Sequence, residues 1–172
     1  SIVIPAKNEA ENIIPLITEI RAAMDEHVNY ELIYVDDGST DATWATLLQL
    51  QADGFDRLRL ISHQQSVGQS MAILSGAWEA RGEWLVVLDA DGQNDPADIP
   101  NLLAKRDAGD PQTKLYAGWR VNRQDSGSKR WASKWANAIR SRMLRDATPD
   151  TGCGIKLFER EAFLDLPYFD HM

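Results

Sequence analysis

The most constraining stretch of this chain is Trp84-Leu85-Val86-Val87-Leu88-Asp89-Ala90-Asp91. A short unbroken apolar run predicts a strand buried on both faces, and so a sheet covered on each side. The run breaks off in two carboxylates one residue apart, followed by Gly92, Gln93 and Asn94. In open α/β sheets, ligands gather beyond the carboxyl ends of the strands. Asp89 and Asp91 are therefore delivered where a ligand would sit, and together they can share one divalent cation. Their hard oxygens suit Mg²⁺ or Mn²⁺, ions that commonly bridge the phosphates of a nucleotide. Taken alone, such a pair more often marks an ordinary solvated turn, so support has to come from elsewhere in the chain.

The 172 residues fit one domain, 1–172, with a sizeable core. A net charge of -8 and a pI of about 4.8 argue against a nucleic-acid partner, which leaves a basic footprint. The single cysteine, Cys153, excludes an intrachain disulfide and fits a reducing compartment. It has no histidine nearby in sequence to activate it and reads as structural. No apolar run approaches the roughly 20 residues that cross a bilayer, and no signal peptide is visible. The chain opens mid-strand at Ser1-Ile2-Val3-Ile4-Pro5 and stops at His171-Met172 without a closing element. Both ends are thus expected to be cut from a longer protein.

Strands and helices alternate through Gly109, which predicts a mostly parallel sheet with helices on both faces. Ile2–Ile4 is a strand that Pro5 is expected to end. Lys7-Asn8-Glu9 leads into a helix with Ile13, Ile14, Ile17, Ile20 and Met24 on its apolar face. Asn8 or Glu9 is either the start signal of that helix or, for Glu9, a nucleotide contact. Tyr30–Val35 is a second strand, ending in Asp36-Asp37-Gly38-Ser39-Thr40-Asp41. Ser39, Thr40 or Asp41 suffices to cap the next helix, whose apolar face holds Trp44, Leu47, Leu48 and Leu50. Asp36 and Asp37 are surplus to capping and suit hydrogen bonds from a ribose hydroxyl or a base imide. Two such acids side by side should raise one pKa unless a donor or cation intervenes. Leu58–Ile61 is a third strand. Val67-Gly68-Gln69-Ser70 then opens a helix through Ala72, Ile73, Ala77 and Trp78, where a glycine lets an anion approach free backbone N–H groups. After Asp91, a helix starts from Pro96 with Asn94 or Asp95 as cap.

Beyond a strand at Lys114–Trp119 the composition changes. Asn122–Ser128 reads as a mobile loop. Lys129-Arg130-Trp131-Ala132-Ser133-Lys134-Trp135-Ala136-Asn137, continued by Arg140, Arg142 and Arg145, is a basic patch concealed by the overall acidity. Cations interleaved with tryptophans suit an anionic group beside an apolar chain, as at a lipid headgroup; a helix with one solvated basic face and one packed aromatic face explains them equally well. Gly152 and Gly154 make a turn into a short strand, and a helix starts at Arg160.

Four stretches, Ile2-Val3-Ile4-Pro5-Ala6-Lys7-Asn8-Glu9, Val35 through Asp41, Leu88 through Gln93, and Lys129 through Ser133, together resemble the family 2 glycosyltransferases with the GT-A (Rossmann-like) fold. The likeness is greatest to the dolichyl- and polyprenyl-phosphate sugar synthases. It implies an inverting transfer of a sugar from a GDP- or UDP-linked nucleotide-sugar to a polyprenyl (dolichyl or undecaprenyl) phosphate, by a protein peripheral to the cytoplasmic face of a membrane. By the same resemblance, Pro5, Ala6, Glu9, Asp36, Asp37, Asp89 and Ala90 surround the donor nucleotide, and Asp89, Asp91 and Gln93 hold Mg²⁺ or Mn²⁺. Arg120, in a Gly-x-Arg position, and Arg130 with Ser133 grip the acceptor phosphate; Asp91, Arg120 and Arg130 carry the catalysis. Two positions depart from the family pattern. Cys153 replaces a usual serine in the stretch from Asp150 to Gly154, and Gln69 stands where lysine or threonine is frequent.

The implied chemistry is coherent with the residues. A departing nucleoside diphosphate builds negative charge that a divalent ion stabilises. A phosphate acceptor is already anionic and needs no strong base, only arginines that place it in line behind the anomeric carbon. A sugar-hydroxyl acceptor is the rival and would need Asp150 as base. A sugar nucleotidyltransferase would want a Gly-rich basic loop after the first strand, which Ala6-Lys7-Asn8-Glu9 does not supply. A non-catalytic nucleotide-binding module would bind without metal or turnover.

Overall fold

The computed structural model describes residues 1–26, 29–118 and 154–167. Six strands are described: β1 (Ile2–Ala6), β2 (Leu32–Asp36), β3 (Leu58–Ser62), β4 (Trp84–Val87), β5 (Leu115–Ala117) and β6 (Lys156–Glu159). The helices are α1 (Ile13–Met24), α2 (Thr43–Ala52), α3 (Gln69–Glu79), α4 (Asp98–Asp107) and a short α5 (Arg160–Leu164). The sheet order is β3-β2-β1-β4-β6-β5. β1 pairs in parallel with both β2 and β4, and β2 pairs in parallel with β3. β6 runs antiparallel between β4 and β5.

Alternation along the strands builds a core on each side of the sheet. Ile2, Ile4, Leu32, Tyr34, Val86 and Leu88 meet Leu16 and Ile20 of α1, Leu47 of α2 and Ile99 of α4. Val3, Ile33, Val35 and Leu85 meet Ala72 and Ala77 of α3, with Phe163 and Leu164 of α5 against them. Each fully buried Leu or Ile contributes about 1.5–3 kcal/mol, which is why the strands read as continuous apolar runs. The mostly parallel sheet with helices on both faces is thus as the sequence predicts.

Several local expectations give way to packing. Pro5 does not end β1; it pairs with Val35 and is buried. Odd-numbered β1 residues turn their polar atoms to β4, since Ser1 and Val3 carbonyls accept Val86 and Leu88 N–H. The last β1–β4 pair is Val3 with Val87. The missing N–H of Pro5 therefore faces the gap where β4 has already left the sheet, and no ladder bond is lost. In α1 the buried stripe is Ile13, Leu16, Ile17, Ile20 and Met24, while Ile14 is 56% exposed. Leu48 and Trp78 also point outward, at 45% and 58%. The inner face of α3 is made of small residues instead, and a Cβ on Gly76 would lie 2.4 Å from Val3 Cγ1. α1 starts at Ile13, beyond Asn8 and Glu9, and α4 starts at Asp98 rather than Pro96. Asp95 still serves the start of α4, its Oδ1 accepting Ala97 N–H at 2.9 Å.

Candidate active site

The chain runs from β1 outward to β2 and β3, then returns to place β4 on the other side of β1. This reversal opens a crevice beyond the carboxyl ends of β1 and β4, where open α/β sheets hold ligands. A cleft of about 440 Å³ lies there. It is lined by Pro5, Ala6 and Glu9 after β1, Asp37 after β2, and Asp89, Ala90 and Asp91 after β4. Seven of the residues singled out from the sequence thus converge on one cavity. Asp36 and Gln93 lie off its lining. Arg120, Arg130, Ser133, the rival base Asp150, Cys153, the loop Asn122–Ser128 and the basic stretch from Lys129 fall outside the described residues.

The wall on the β2 side is organised by Asp37. Its buried carboxylate accepts four hydrogen bonds: His63 Nδ1 at 2.8 Å, Ser66 Oγ at 2.6 Å, and the N–H groups of Val67 and Gly68 at 2.9 Å each. Burial alone pushes this carboxyl up, but the donors outweigh it and hold the pKa at about 2. The donors that two adjacent acids require are therefore supplied by the β3–α3 loop. A carboxylate has about four acceptor sites, and all of those on Asp37 are engaged within the protein. Gly38 makes the close fit possible: it has φ +67°, and a Cβ there would come within 2.6 Å of Ser66 N. Asp36, also buried, accepts Ser39 N–H at 3.3 Å and Ser62 Oγ–H at 3.5 Å.

The β1–α1 loop is tied to the β2–α2 loop. Asn8, at φ 58°, accepts Thr40 N–H on its side chain at 2.7 Å, and its own N–H donates to Ser39 Oγ. Glu9 N–H donates to Thr43 Oγ1 at 2.8 Å, and Glu9 Oε2 accepts Asn12 Nδ2–H at 2.6 Å. These bonds fix the backbone that carries Glu9 into the cleft. Asp41, expected as a cap, accepts both the N–H and the hydroxyl of Thr43.

On the β4 side, Asp89 Oδ1 accepts Gln69 Nε2–H at 2.7 Å and Oδ2 accepts Asn94 Nδ2–H at 3.5 Å. Gly154 closes over the same carboxylate: a Cβ at that position would lie 2.1 Å from Asp89 Oδ2. Asp91 is exposed, and its Oδ1 accepts Gln93 N–H at 3.0 Å across the turn at Gly92, φ +69°. Among the described residues, no three His, Cys, Asp or Glu side chains form a ready-made metal cage. Two carboxylates on an open cleft nevertheless fit Mg²⁺ or Mn²⁺, which keep several waters and take phosphate oxygens alongside one or two protein carboxylates.

Lys7, Ser66, Gly68 and Gln69 also line the cleft. Lys7 is the one cation among the described lining residues, and its Nζ donates to Ser66 Oγ at 3.1 Å. The sequence marks Lys7 only as part of a helix lead-in and gives Ser66 no role. Their importance comes from contact between loops 59 positions apart, and no local pattern signals it.

The pattern that defines glycosyl transferase family 2 matches residues 1–166. The chain is 36% identical over 160 residues to a dodecaprenyl-phosphate galacturonate synthase of Rhizobium johnstonii, covering 92% of this chain and 47% of that protein. It is 35% identical over 161 residues to an undecaprenyl-phosphate 4-deoxy-4-formamido-L-arabinose transferase of Pseudomonas fluorescens, covering 93% and 46%. The chain therefore spans about half the length of these curated relatives. In fold it is similar to a mannosyltransferase of Pyrobaculum calidifontis solved with GDP-Man and Mn²⁺, with TM-score 0.70, 23% identity, and coverage of 93% of this chain and 44% of that one. A glucosyl-3-phosphoglycerate synthase of Mycobacterium tuberculosis, solved with Mn²⁺, UDP-Glc and phosphoglyceric acid, gives TM-score 0.71 at 23% identity, covering 93% and 56%.

Proposed function

This chain belongs to glycosyl transferase family 2, and on that premise we propose that it is the catalytic part of an inverting glycosyltransferase acting on a polyprenyl phosphate. The donor is a nucleoside-diphosphate sugar, GDP- or UDP-linked, and a divalent cation assists its departure. The two curated relatives are named for polyprenyl-phosphate sugar transfer, which supports the acceptor. The observation that carries the reading is the delivery of Asp89 and Asp91 into the same cleft as Pro5, Ala6 and Glu9.

In this assignment Pro5, Ala6, Glu9 and Ala90 bound the base and ribose, and Asp37 with Asp36 fixes the wall beside them. Asp89 and Asp91, with Gln93 on the same turn, hold Mg²⁺ or Mn²⁺. When bound, the ion stabilises the charge that grows on the leaving diphosphate. Lys7 adds N–H donors to the cleft, where they favour an anionic or carbonyl-bearing ligand. Arg120, Arg130 and Ser133 are assigned to the acceptor phosphate, whose own charge makes a strong base unnecessary. Among the described residues, no helix is long and apolar enough to cross a membrane. A lipid acceptor brings the protein to the cytoplasmic membrane surface peripherally.

Titration calorimetry with UDP- and GDP-sugars, with and without Mn²⁺, tests this. One of the two should bind at least ten-fold tighter with Mn²⁺, and Asp91→Ala should remove that gain while leaving the circular dichroism spectrum unchanged. Metal-independent binding of the same strength, with no transfer to a short prenyl phosphate, would replace the enzyme by a nucleotide-binding module.

A further inference from the structure

Lys7 follows β1 and lines the cleft, yet its ammonium is held on the side away from the acids of β4. Its Nζ donates to Ser66 Oγ at 3.1 Å, and Ser66 in turn donates to Asp37 Oδ2 at 2.6 Å. Asp37 follows β2, the neighbour of β1 on the side opposite β4. The ammonium thus sits near the exit of β2, two strand spacings or roughly 10 Å from the exit of β4. A diphosphate seated with its cation at Asp89 and Asp91 therefore leaves the far end of the nucleotide, its base, to Lys7.

The polarity of this corner is fixed by the protein. The Ser66 proton is committed to Asp37, whose acceptor sites are filled by His63, Ser66, Val67 and Gly68. Towards Lys7, Ser66 only accepts. Among the described residues Lys7 has no carboxylate partner, and its remaining N–H donors are unspent. An ammonium carries donors and no acceptor. Uracil and guanine offer a ring carbonyl, O4 or O6, where cytosine and adenine carry an amino group. The carbonyl completes a charge-assisted hydrogen bond, whereas the amino group sets donor against donor and leaves both unpaired. A site built on such a bond rejects the analogue that lacks the acceptor far better than an apolar pocket does.

We propose that Lys7 selects the nucleobase of the donor: its ammonium, tied back by Ser66, takes a ring carbonyl and refuses the exocyclic amine that cytosine or adenine presents there. The inference rests on the nucleotide reading of the cleft made above and adds to it the residue that sets base specificity.

The test is titration calorimetry on the whole chain in Mn²⁺, with UDP against CDP and GDP against ADP. The readout is the ratio of dissociation constants within the pair that binds, so any general effect of charge on an anionic nucleotide cancels. In the wild type the carbonyl-bearing member should bind about ten-fold tighter or better. Lys7 is exposed, so its variants should fold. Lys7→Met, which keeps the length and removes the donors, should cut the ratio at least three-fold. Lys7→Glu offers an acceptor to the amine and should cut it further. A smaller change in Lys7→Met would overturn the proposal and leave the nucleotide site standing; equal weakening of all four nucleotides would assign the ammonium to the phosphates. A ratio higher in Lys7→Glu than in Lys7→Met, or a wild type with no preference within either pair, would also overturn it. Failure of the wild type to bind any of the four would remove the nucleotide reading itself, and this inference with it.

Discussion

At Asp37, four donors converge on one carboxylate, and the consequence is a measurable dependence on acid. Its pKa of about 2 in the folded protein lies below the ordinary 3.8. A depressed carboxyl stabilises the fold above its unfolded value and loses that contribution as the pH falls through its folded one. The contribution of Asp37 is therefore complete above about pH 4 and disappears as the pH falls towards 2. Asp37→Asn should cost on the order of 2–3 kcal/mol near neutrality, because an amide opposes donors with donors. The gap between variant and wild type in urea unfolding should narrow steadily between pH 4 and pH 2. The sequence marks Asp36 and Asp37 as more acid than capping requires. It does not show which groups answer them, because Ser66, Val67 and Gly68 lie 29 to 31 positions away. The paired acids of the β4 turn are legible for the opposite reason: their meaning lies in their spacing and in the strand that ends at them.

Among the elements, α3 shows most plainly what a hydrophobic pattern conceals. Its run through Ala72, Ile73, Ala77 and Trp78 does not say which residues face the sheet; the inner face is Ala72, Gly76 and Ala77, set against the Val3 and Val35 side chains of β1 and β2. Gly76→Ala gains about 1 kcal/mol of helix propensity but drives a methyl into Val3 Cγ1, 2.4 Å away, and towards Val35 Cγ2 at 3.2 Å. Overpacking of this kind costs about 1–3 kcal/mol, so the net effect should be a destabilisation of up to about 2 kcal/mol, read as a lower urea midpoint with an unchanged slope. In α1 the helical period is legible, but the identity of the stripe is off by one choice. Leu16 is inside and Ile14 outside because the face is set by the sheet beneath it. The fate of Pro5 is likewise decided by a neighbour, since β4 leaves β1 before the missing N–H would be needed.

For the molecule as a whole, the alternation of strands and helices makes the parallel half of the sheet readable from sequence. The antiparallel entry of β6 between β4 and β5 is not, because nothing local to Lys156–Glu159 names its partners. If the cleft closes on a nucleotide with its ion, the folded state gains stability by mass action, about 2.7 kcal/mol at a hundred-fold excess over Kd. Thermal unfolding with the preferred nucleotide diphosphate and Mn²⁺ should shift upward by several degrees, and EDTA should return most of that shift. β5 ends at Ala117 and β6 begins at Lys156, and these two residues are paired beside Val87, where β4 also ends. Lys156 thus lies between two strand ends, so a slip of β6 by one residue would turn its side chains over and misalign both neighbours together.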